Sequence, residues 1–227
     1  MLPSPVTRIH TFESLTEDVM AICRTAASTV CVPRGQILFK RGDPARTLFV
    51  IVNGYARISS ISPDGHEVVA AFAGPRDVIG HRAAMSAAGG YLVTAVATSP
   101  MELKSWTRSE ALRLRARFPA VHAFLDAQAI RNAEIVLDRL HTLSEGNAPQ
   151  RLAKAIVELS KRHGRHDVDG IALPVPLTRQ DLASLTGTTI YTASRIVADW
   201  VDADILESHR ARLKVKHLSR LVKLASA

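Results

Sequence analysis

The segment from 177 to 216 constrains the fold of this chain more strongly than any other. Thr178 is suited to the N-cap of a short helix over 179–185, because its hydroxyl can accept hydrogen bonds from the free N–H groups of the first turn. Gly187 follows, and glycine adopts the left-handed backbone of a sharp turn without a Cβ clash. A second helix then runs to Trp200, so two helices joined by a tight turn are predicted.

The second helix, capped by Thr188 or Thr189, has one apolar face and one polar face. Its apolar side chains recur at helical spacing and are Ala193, Ile196, Val197 and Trp200. Its polar face carries Thr189, Tyr191, Thr192, Ser194 and Arg195. The step from the small Ala183 to Gly187 is the usual spacing of a helix-turn-helix, which places its second helix in the DNA major groove. Spacing alone also fits an ordinary helical hairpin with a solvated polar face.

A basic hairpin is predicted directly after the second helix. Strands over 205–208 and 212–216 flank a turn at 209–211, and period-two alternation turns Leu213 and Val215 inward. The outward side chains are the cations Arg212, Lys214 and Lys216. Cations on such a wing suit the phosphate backbone, whose contacts give affinity and register but no sequence information. The hairpin therefore favours a winged helix-turn-helix that binds double-stranded DNA.

The charge of the chain agrees with that assignment. Its formal charge is +8 and its pI is near 10.0, values typical of nucleic-acid binders and of many membrane-surface proteins. Residues 149–227 carry 13 Lys and Arg against 8 Asp and Glu, so most of the excess lies near the predicted DNA-binding segment. No apolar run approaches the ~18–20 residues that span a bilayer, and the N-terminus lacks a hydrophobic signal core. We expect a cytoplasmic protein with no membrane partner.

Residues 34–106 are rich in short β-patterned runs separated by turns. The runs are 36–39, 47–52, 55–61, 67–72, 78–79, 91–97 and 101–106. The turns are 41–44, 53–54, 63–65 and 73–75. Asn53-Gly54 between apolar runs is a strong hairpin signal, because a type I′ turn needs positive φ at both central positions. An antiparallel barrel, sandwich or roll is predicted.

A long helix is predicted after this β-rich segment. Thr107 and Glu110 match a capping box, and no Gly or Pro interrupts 120–143. The apolar seam consists of Ile130, Ala133, Leu137 and Leu140, broadened by Val136 and Leu143. A helix of about 25 residues spans almost 40 Å, more than so small a domain needs for itself. We expect it to pair with the same helix of a second copy of the chain. The alternative is a long helix packed on its own barrel.

The order of these parts sets the domain boundaries. Asn147 and Pro149 begin a further helix that runs to His163, and Gly164 ends it before the polar segment 165–170. We predict a β-roll effector domain over 1–118, a dimerisation helix over 119–146 and a DNA-binding domain over 147–227. The fold class is α+β: an N-terminal antiparallel β-roll, a long central dimerisation helix and a C-terminal winged helix-turn-helix.

This arrangement resembles the CRP/FNR family of bacterial transcription regulators over nearly the whole chain. The resemblance is most specific at 177–182 and 189–195, and turns at Gly42, Gly54, Gly65 and Gly80 fit the family's roll. It implies a homodimer on a two-fold-related DNA site, with a signal in the N-terminal domain that changes the orientation of the reading helices. RNA polymerase is an expected partner if the protein is an activator.

The resemblance also assigns DNA contacts. It implies that Thr189 and Arg195 touch DNA, and an arginine can donate two hydrogen bonds to guanine. Many relatives carry Glu where this chain has Tyr191, so the half-site should differ from theirs. Ile190 fits either a thymine methyl contact or helix packing. The complete set of predicted DNA contacts is Thr178, Arg179, Thr189, Ile190, Tyr191, Thr192, Ser194, Arg195, Arg212, Lys214 and Lys216.

The predicted effector pocket departs from the family pattern. Members that bind cyclic nucleotides have Gly-Glu at the start of the phosphate cassette and Arg-Ser/Thr-Ala near its end, where this chain has Gly80-His81 and Val93-Thr94-Ala95. A buried phosphate without its cation costs about 3–5 kcal/mol, so cyclic AMP is not expected. Arg82, next to the cassette, is the residue that could replace the missing charge.

The sequence leaves the cofactor open. Cys23 and Cys31 are too few for an iron–sulfur cluster, and no other metal site is predicted. The run 187–195 is similar to that of members that answer nitrogen oxides, some of them through haem. His81 is then a candidate haem ligand, and the alternative is a solvated or hydrogen-bonded side chain.

Two other classes of function are alternatives to a DNA-binding regulator. The roll could be the effector-binding module of a signalling assembly whose C-terminal domain contacts protein, although the basic wing argues against this. An enzyme is not expected, because no nucleophile elbow, phosphate-cradling glycine loop or HExxH-type metal helix is present.

Overall fold

The computed structural model describes residues 16–61, 67–85, 89–144 and 146–226, without the side chains of Arg139, Leu140 and Thr142. The predicted turn at 63–65 lies outside the described residues, as does the side chain of Leu140 on the predicted dimer seam. The described part has the predicted order of a β-roll, a long helix and a winged helix-turn-helix. None of the described helices is long and apolar enough to cross a membrane.

Two antiparallel sheets form the roll. Its strands are β1 (Ser28–Val32), β2 (Ile37–Phe39), β3 (Thr47–Asn53), β4 (Ala56–Ile61), β5 (Glu67–Ala73), β6 (Val78–Ile79), β7 (Thr94–Ala97) and β8 (Met101–Thr107). Among the described residues one sheet has the order β1-β8-β3-β6 and the other β2-β7-β4-β5. A short helix, α1 (Glu17–Thr25), precedes the roll and was not predicted, and neither was β1.

The chain does not form the predicted hairpin at Asn53-Gly54. β3 and β4 belong to different sheets, and of the two turn residues only Gly54 has positive φ, +85°. A Cβ added at Gly54 would lie 2.3 Å from the Pro100 carbonyl oxygen, so the backbone passes close to the β7–β8 connection as it changes sheets. The type I′ assignment was wrong because a glycine can serve a close crossing as well as a turn.

The predicted strand over 91–97 begins three residues later, at Thr94. The N–H of Tyr91 donates to the Asp43 carbonyl and its own carbonyl accepts from Gly42 N–H, both at 2.9 Å. The Tyr91 hydroxyl also bonds to the backbone of Thr47. Because the turn at 42–43 uses its backbone groups, Tyr91 is tied to that turn rather than to the ladder.

Two helices follow the roll. α2 (Arg108–Arg117) begins with the predicted capping box: Thr107 accepts from Glu110 N–H, and the Glu110 carboxylate accepts from Thr107 N–H. α3 (Pro119–Ser144) is the predicted long helix. Its first half packs on the roll through the buried Phe124 and Leu125. Its second half exposes Ile130 (61%) and Leu137 (55%), together with Ala133 and Val136.

The C-terminal domain combines helices with a four-stranded sheet. Its elements are α4 (Ala148–His163), β9 (Arg165–Asp167), β10 (Gly170–Leu173), α5 (Arg179–Thr186), α6 (Ile190–Asp202), β11 (Leu206–His209), β12 (Arg212–Val215) and α7 (Leu218–Ser226). The sheet order is β11-β12-β10-β9. The segment taken from sequence as a polar connection is therefore the start of a second hairpin, whose apolar Ile171 and Leu173 pair with Val215 and Leu213.

One apolar core joins the roll to the C-terminal domain. Tyr55, Val69 and Phe72 of the roll belong to the same buried cluster as Leu152 and Ile156 of α4. Phe72 is 1% exposed, so burial of its ring depends on both domains. The position of the helix-turn-helix is thus coupled to β5 and to Tyr55, the residue before β4.

Candidate DNA interface and effector cavity

The first helix of the helix-turn-helix is locked by its cap. Thr178 Oγ1 accepts from Asp181 N–H, while Asp181 Oδ2 accepts from the N–H and hydroxyl of Thr178. Gly187 ends the helix with φ +57°, the predicted left-handed turn. A Cβ added there would lie 3.0 Å from Leu143 Cδ2, so the turn also packs against the end of α3.

The second helix presents its first turns to solvent. Thr189 is the N-cap, accepting from Thr192 N–H at 3.1 Å. Tyr191 is 78% exposed and Ile190 50%, and Arg195 is exposed one turn later. The predicted stripe is buried in full: Ala193, Ile196, Val197 and Trp200. With its apolar side in the core, α6 leaves the side chains of its N-terminal half available, as a major-groove reading helix requires.

The wing is a tight hairpin with a cationic tip. Its two turn residues, Arg210 and Ala211, have φ of +44° and +66°, the pattern of a type I′ turn although neither is glycine. Arg210 and Arg212 are both exposed there. Leu213 and Val215 are buried, as predicted. Arg210 was assigned only to the turn from sequence, and its exposed guanidinium adds a second cation to the tip.

The other wing cations are held by carboxylates. Lys214 Nζ lies 3.0 Å from Asp167 and 3.6 Å from Asp169. The hydrogen bond that Lys214 donates to Asp167 lowers the pKa of the carboxyl and raises the pKa of the lysine. Lys216 pairs with Asp204. The β9–β10 hairpin, missed from sequence, brings both partners of Lys214 to the wing.

Arg179 also has an internal partner. Its Nη2 donates to Ser208 Oγ at 2.9 Å, and burial lowers the pKa of the guanidinium. The bond ties the start of α5 to strand β11. The structure thus gives Arg179 a role in joining helix and wing, while its predicted DNA contact stays a prediction.

A cavity of about 290 Å³ lies between α3 and the roll. Of the predicted effector residues, Gly80, His81 and Val93 line it. Thr94 does not, and its hydroxyl accepts from Arg41 N–H. Arg82 does not line it either: its guanidinium lies against Gly89, where an added Cβ would be 2.3 Å from Nη2. Arg82 therefore does not supply the missing cation in this conformation.

The imidazole of His81 lies on the cavity wall, where its surroundings favour the neutral ring. Burial, and secondarily the charge of Arg82, lowers the pKa of its imidazole. Asn132 Nδ2 of α3 lies 3.2 Å from His81 Nδ1. Because an amide nitrogen only donates, Nδ1 accepts, and the neutral ring carries its proton on Nε2.

The comparisons with known proteins match both parts of the chain in order. The cyclic nucleotide-binding domain model matches residues 29–118, and the Crp-like helix-turn-helix domain model matches residues 150–224. The chain belongs to the CRP/FNR family of DNA-binding transcription regulators. Within that family the β-roll is the cyclic nucleotide-binding-like domain, and the exposed α6 is the reading helix of the helix-turn-helix.

Relatives of this CRP/FNR protein match most of its length at modest identity. It is 24% identical over 222 residues to the CRP-like cAMP-activated global transcriptional regulator of Mycobacterium tuberculosis, covering 95% of this chain and 92% of the relative. It is 26% identical over 199 residues to the Anaerobic regulatory protein of Pasteurella multocida, covering 86% and 70%. These relatives are regulators rather than enzymes.

A solved structure supports the same fold for this CRP/FNR protein. FixK2 from Bradyrhizobium japonicum superposes with a TM-score of 0.78 at 21% identity, covering 88% of this chain and 98% of that one. This superposition confirms the roll, long helix and winged helix-turn-helix of the predicted fold class, and the two domain models confirm the predicted family.

Haem does not fit the cavity as it stands. The volume of the cavity, about 290 Å³, lies just below the roughly 300–1,000 Å³ of small-molecule sites, and haem is a large ligand. Asn132 occupies Nδ1 of His81, so Nε2 is the nitrogen left for iron. The haem-ligand role of His81 stays a prediction for a visible spectrum to test.

Proposed function

We propose that this CRP/FNR protein is a homodimer that reads a two-fold-related DNA sequence and is controlled by a ligand other than cyclic AMP. The observation that carries the proposal is the exposed N-terminal half of α6 beside a wing with an arginine tip. In such a motif the first turns of the second helix contact base edges, and the wing contacts phosphates.

Arg195 and Thr189 are assigned the reading of bases. Arg195 is exposed and has no ion pair among the described residues, so its guanidinium is available for a bidentate contact with guanine. Thr192 and Ser194 lie on the same face. The neutral phenol of the highly exposed Tyr191 is a weaker acceptor for the cytosine amine than a carboxylate, so we expect the half-site to differ from that of relatives with Glu at this position.

Phosphate contacts are assigned chiefly to the wing tip. Arg210 and Arg212 are exposed, whereas Lys214 and Lys216 would have to exchange their carboxylate partners for phosphates. Thr178 lies at a helix N-terminus, where backbone N–H groups favour an anion, although its hydroxyl already serves the cap.

The dimer is assigned to the second half of α3. Ile130, Ala133, Val136 and Leu137 leave an apolar stripe on the described surface of the helix. Large exposed apolar side chains at heptad-like spacing are typical of a helix that packs on a symmetric copy. A two-fold dimer would place its reading helices in successive major grooves, about 34–36 Å apart. As an activator it would also contact RNA polymerase.

Cyclic AMP is disfavoured by the cavity itself. His81 stands where the family has Glu, Val93 stands where it has Arg, and Arg82 lies outside the lining. A cyclic phosphate would lack the cation that the family places at the Val93 position, and the arginines of the lining, Arg131 and Arg162, already have interactions of their own. The regulator of Mycobacterium tuberculosis is described as cAMP-activated, and we do not extend that property to this chain.

Selection of bound duplexes from a random DNA pool tests the proposal. The expected result is enrichment of a two-fold-symmetric site by the wild type and a relaxed consensus for Arg195→Ala. Val168→Ala, an exposed residue of the β9–β10 turn, is the matched control. No enrichment and no salt-sensitive retention on duplex DNA would favour the alternative, a signalling module whose C-terminal domain binds protein.

A further inference from the structure

We propose that the cavity between α3 and the roll binds an uncharged, largely apolar small molecule that accepts one hydrogen bond from His81. This inference rests on the proposed function only where it treats the bound molecule as the regulatory signal. The binding site itself stands on the cavity's lining, on its charges and on the N–H donor of His81.

The lining is mostly apolar. Strands and loops of the roll contribute Phe39, Phe72, Leu92 and Val93, and α3 contributes Ala129 and Val136. Leu92 is 62% exposed, although it is a large apolar side chain at the cavity. Covering such surface with an apolar ligand removes it from water, which is favourable in proportion to the area covered.

The charged residues of the lining already have partners. Asp77 accepts from Gly74 N–H at 2.8 Å and lies 3.7 Å from Arg162. Arg131 has a polar or electrostatic interaction of its own. A phosphate or carboxylate in the cavity would have to share these arginines with the partners that they already have. An uncharged ligand leaves them intact.

One polar group of the lining is suited to orient a neutral ligand. His81 Nδ1 accepts from Asn132, so Nε2–H is its donor, and Nε2 has no hydrogen-bond partner among the described residues. The lowered pKa of the ring keeps it neutral near pH 7, so it does not attract an anion. A carbonyl or ether oxygen is the matching group on the ligand.

The cavity wall also reaches the DNA-binding domain. Phe72 lines the cavity, packs in the core of the C-terminal domain and accepts from His163 Nε2 at 3.1 Å through its carbonyl. Arg162, next to His163 on α4, lines the same cavity. A ligand that shifts Phe72 would therefore act directly on α4, which carries the helix-turn-helix.

The test uses the full-length protein and 6-propionyl-2-(dimethylamino)naphthalene, a neutral ketone whose emission shifts to the blue in apolar surroundings. We expect saturable binding with a blue shift. Ala129→Trp, which fills the cavity, should abolish it, while Ala21→Trp on the exposed face of α1 should not. His81→Phe, which removes the donor, should weaken binding about two- to tenfold.

Further arms test the ligand class. The anions 8-anilinonaphthalene-1-sulfonate and cyclic AMP should compete poorly with the neutral probe. Added haem should not give a Soret band that depends on His81. If circular dichroism shows that Ala129→Trp does not fold, Leu92→Asp replaces it in the test, because this variant places a charge at an exposed position of the lining. Its binding of the neutral probe should fall at least tenfold.

Several outcomes overturn the inference: no saturable blue shift, equal binding by Ala129→Trp and Ala21→Trp, tighter binding of either anion, or a His81-dependent Soret band. DNA retention is measured separately. Probe binding without DNA binding would reject the proposed function but support the cavity site. DNA binding without probe binding would reject the cavity site but leave the proposed function standing.

Discussion

Arg57 of the roll and Asp181 of the helix-turn-helix form an ion pair, with Arg57 Nη1 donating to Asp181 Oδ1 at 3.1 Å. The side chain of Asp181 is only 3% exposed, and its other oxygen completes the cap of α5. Arg57 also lies 3.2 Å from Glu67. A residue in the first turn of α5, the first helix of the helix-turn-helix, is thus anchored to the roll.

Arg57→Ala should lower the free energy of unfolding by about 2–3 kcal/mol, because it leaves the buried carboxylate of Asp181 without its cation. Urea denaturation measures the change. Arg24→Ala is the matched control, since its pair with Glu17 is exposed and should contribute about 0–1 kcal/mol. Equal losses in the two variants would contradict a role for the pair in docking the domains.

Ser184→Ala should loosen the contact between α5 and β5. The Ser184 hydroxyl donates to the Glu67 carbonyl at 2.7 Å and accepts from Val69 N–H at 3.0 Å. Without it, the Val69 amide should exchange with deuterium at least several-fold faster, because a net hydrogen bond contributes about 1 kcal/mol. Ser219→Ala, at an exposed position of α7, should leave that amide unchanged. Unaltered protection of Val69 in Ser184→Ala would count against the contact.

Arg195→Ala and Arg212→Ala should affect DNA binding in different ways. Arg195→Ala removes a base contact and should cost about 1–3 kcal/mol on the selected site with little loss on random DNA. Arg212→Ala removes a phosphate contact and should weaken both, reducing the slope of log K against log salt by about one. Fluorescence anisotropy at several salt concentrations measures both effects. Parallel losses would undermine the division of roles.

Lys214→Ala was expected from sequence to behave like Arg212→Ala. Its pairing with Asp167 and Asp169 makes the expected loss of DNA affinity smaller, because binding must first break these contacts. In the double variant Asp167→Asn/Asp169→Asn, the lysine is released, and DNA affinity should rise. The same anisotropy titration measures the DNA affinity of the double variant. An unchanged affinity would show that Asp167 and Asp169 do not limit the contact of Lys214 with DNA.

Leu137→Asp should convert a dimer into a monomer by placing a charge on the apolar stripe of α3. Sedimentation velocity measures the change, and affinity for the selected two-fold site should fall by at least tenfold. Val168→Asp makes a similar apolar-to-charged change at a residue that is 96% exposed, and should leave the dimer intact. A wild type that sediments as a monomer at micromolar concentration would contradict the proposed dimer.

Acidification should weaken the junction between the domains through His163. Burial lowers the pKa of this imidazole, with Asp77 opposing the shift and Arg162 adding to it. Unfolding therefore takes up a proton between the folded and unfolded pKa values, and the free energy of unfolding falls as pH drops below about 6.5. Denaturation from pH 7.5 to 5 measures the slope, which His163→Gln should reduce. A slope that is the same in both proteins would assign it to other groups.

Features that depend on neighbours along the chain were predictable from sequence. The starts of α2 and α5 are predictable from Thr107 with Glu110 and from Thr178 before a run of apolar residues at helical spacing. In both helices the capping groups are three residues apart. The buried stripe of α6 follows from the helical period alone. These interactions close short loops, so the local sequence contains both partners.

The sequence by itself determined the family, the long helix α3, the two helices of the helix-turn-helix and the exposed polar face of α6. Tertiary structure decided the partners of Lys214, the crossing of sheets at Gly54, the bond from Arg57 to Asp181 and the apolar cavity at His81. Each of these joins residues that lie far apart in sequence, 124 positions in the case of Arg57 and Asp181. Periodicity and capping report only neighbours within a few residues, so such pairings emerge only when the elements pack.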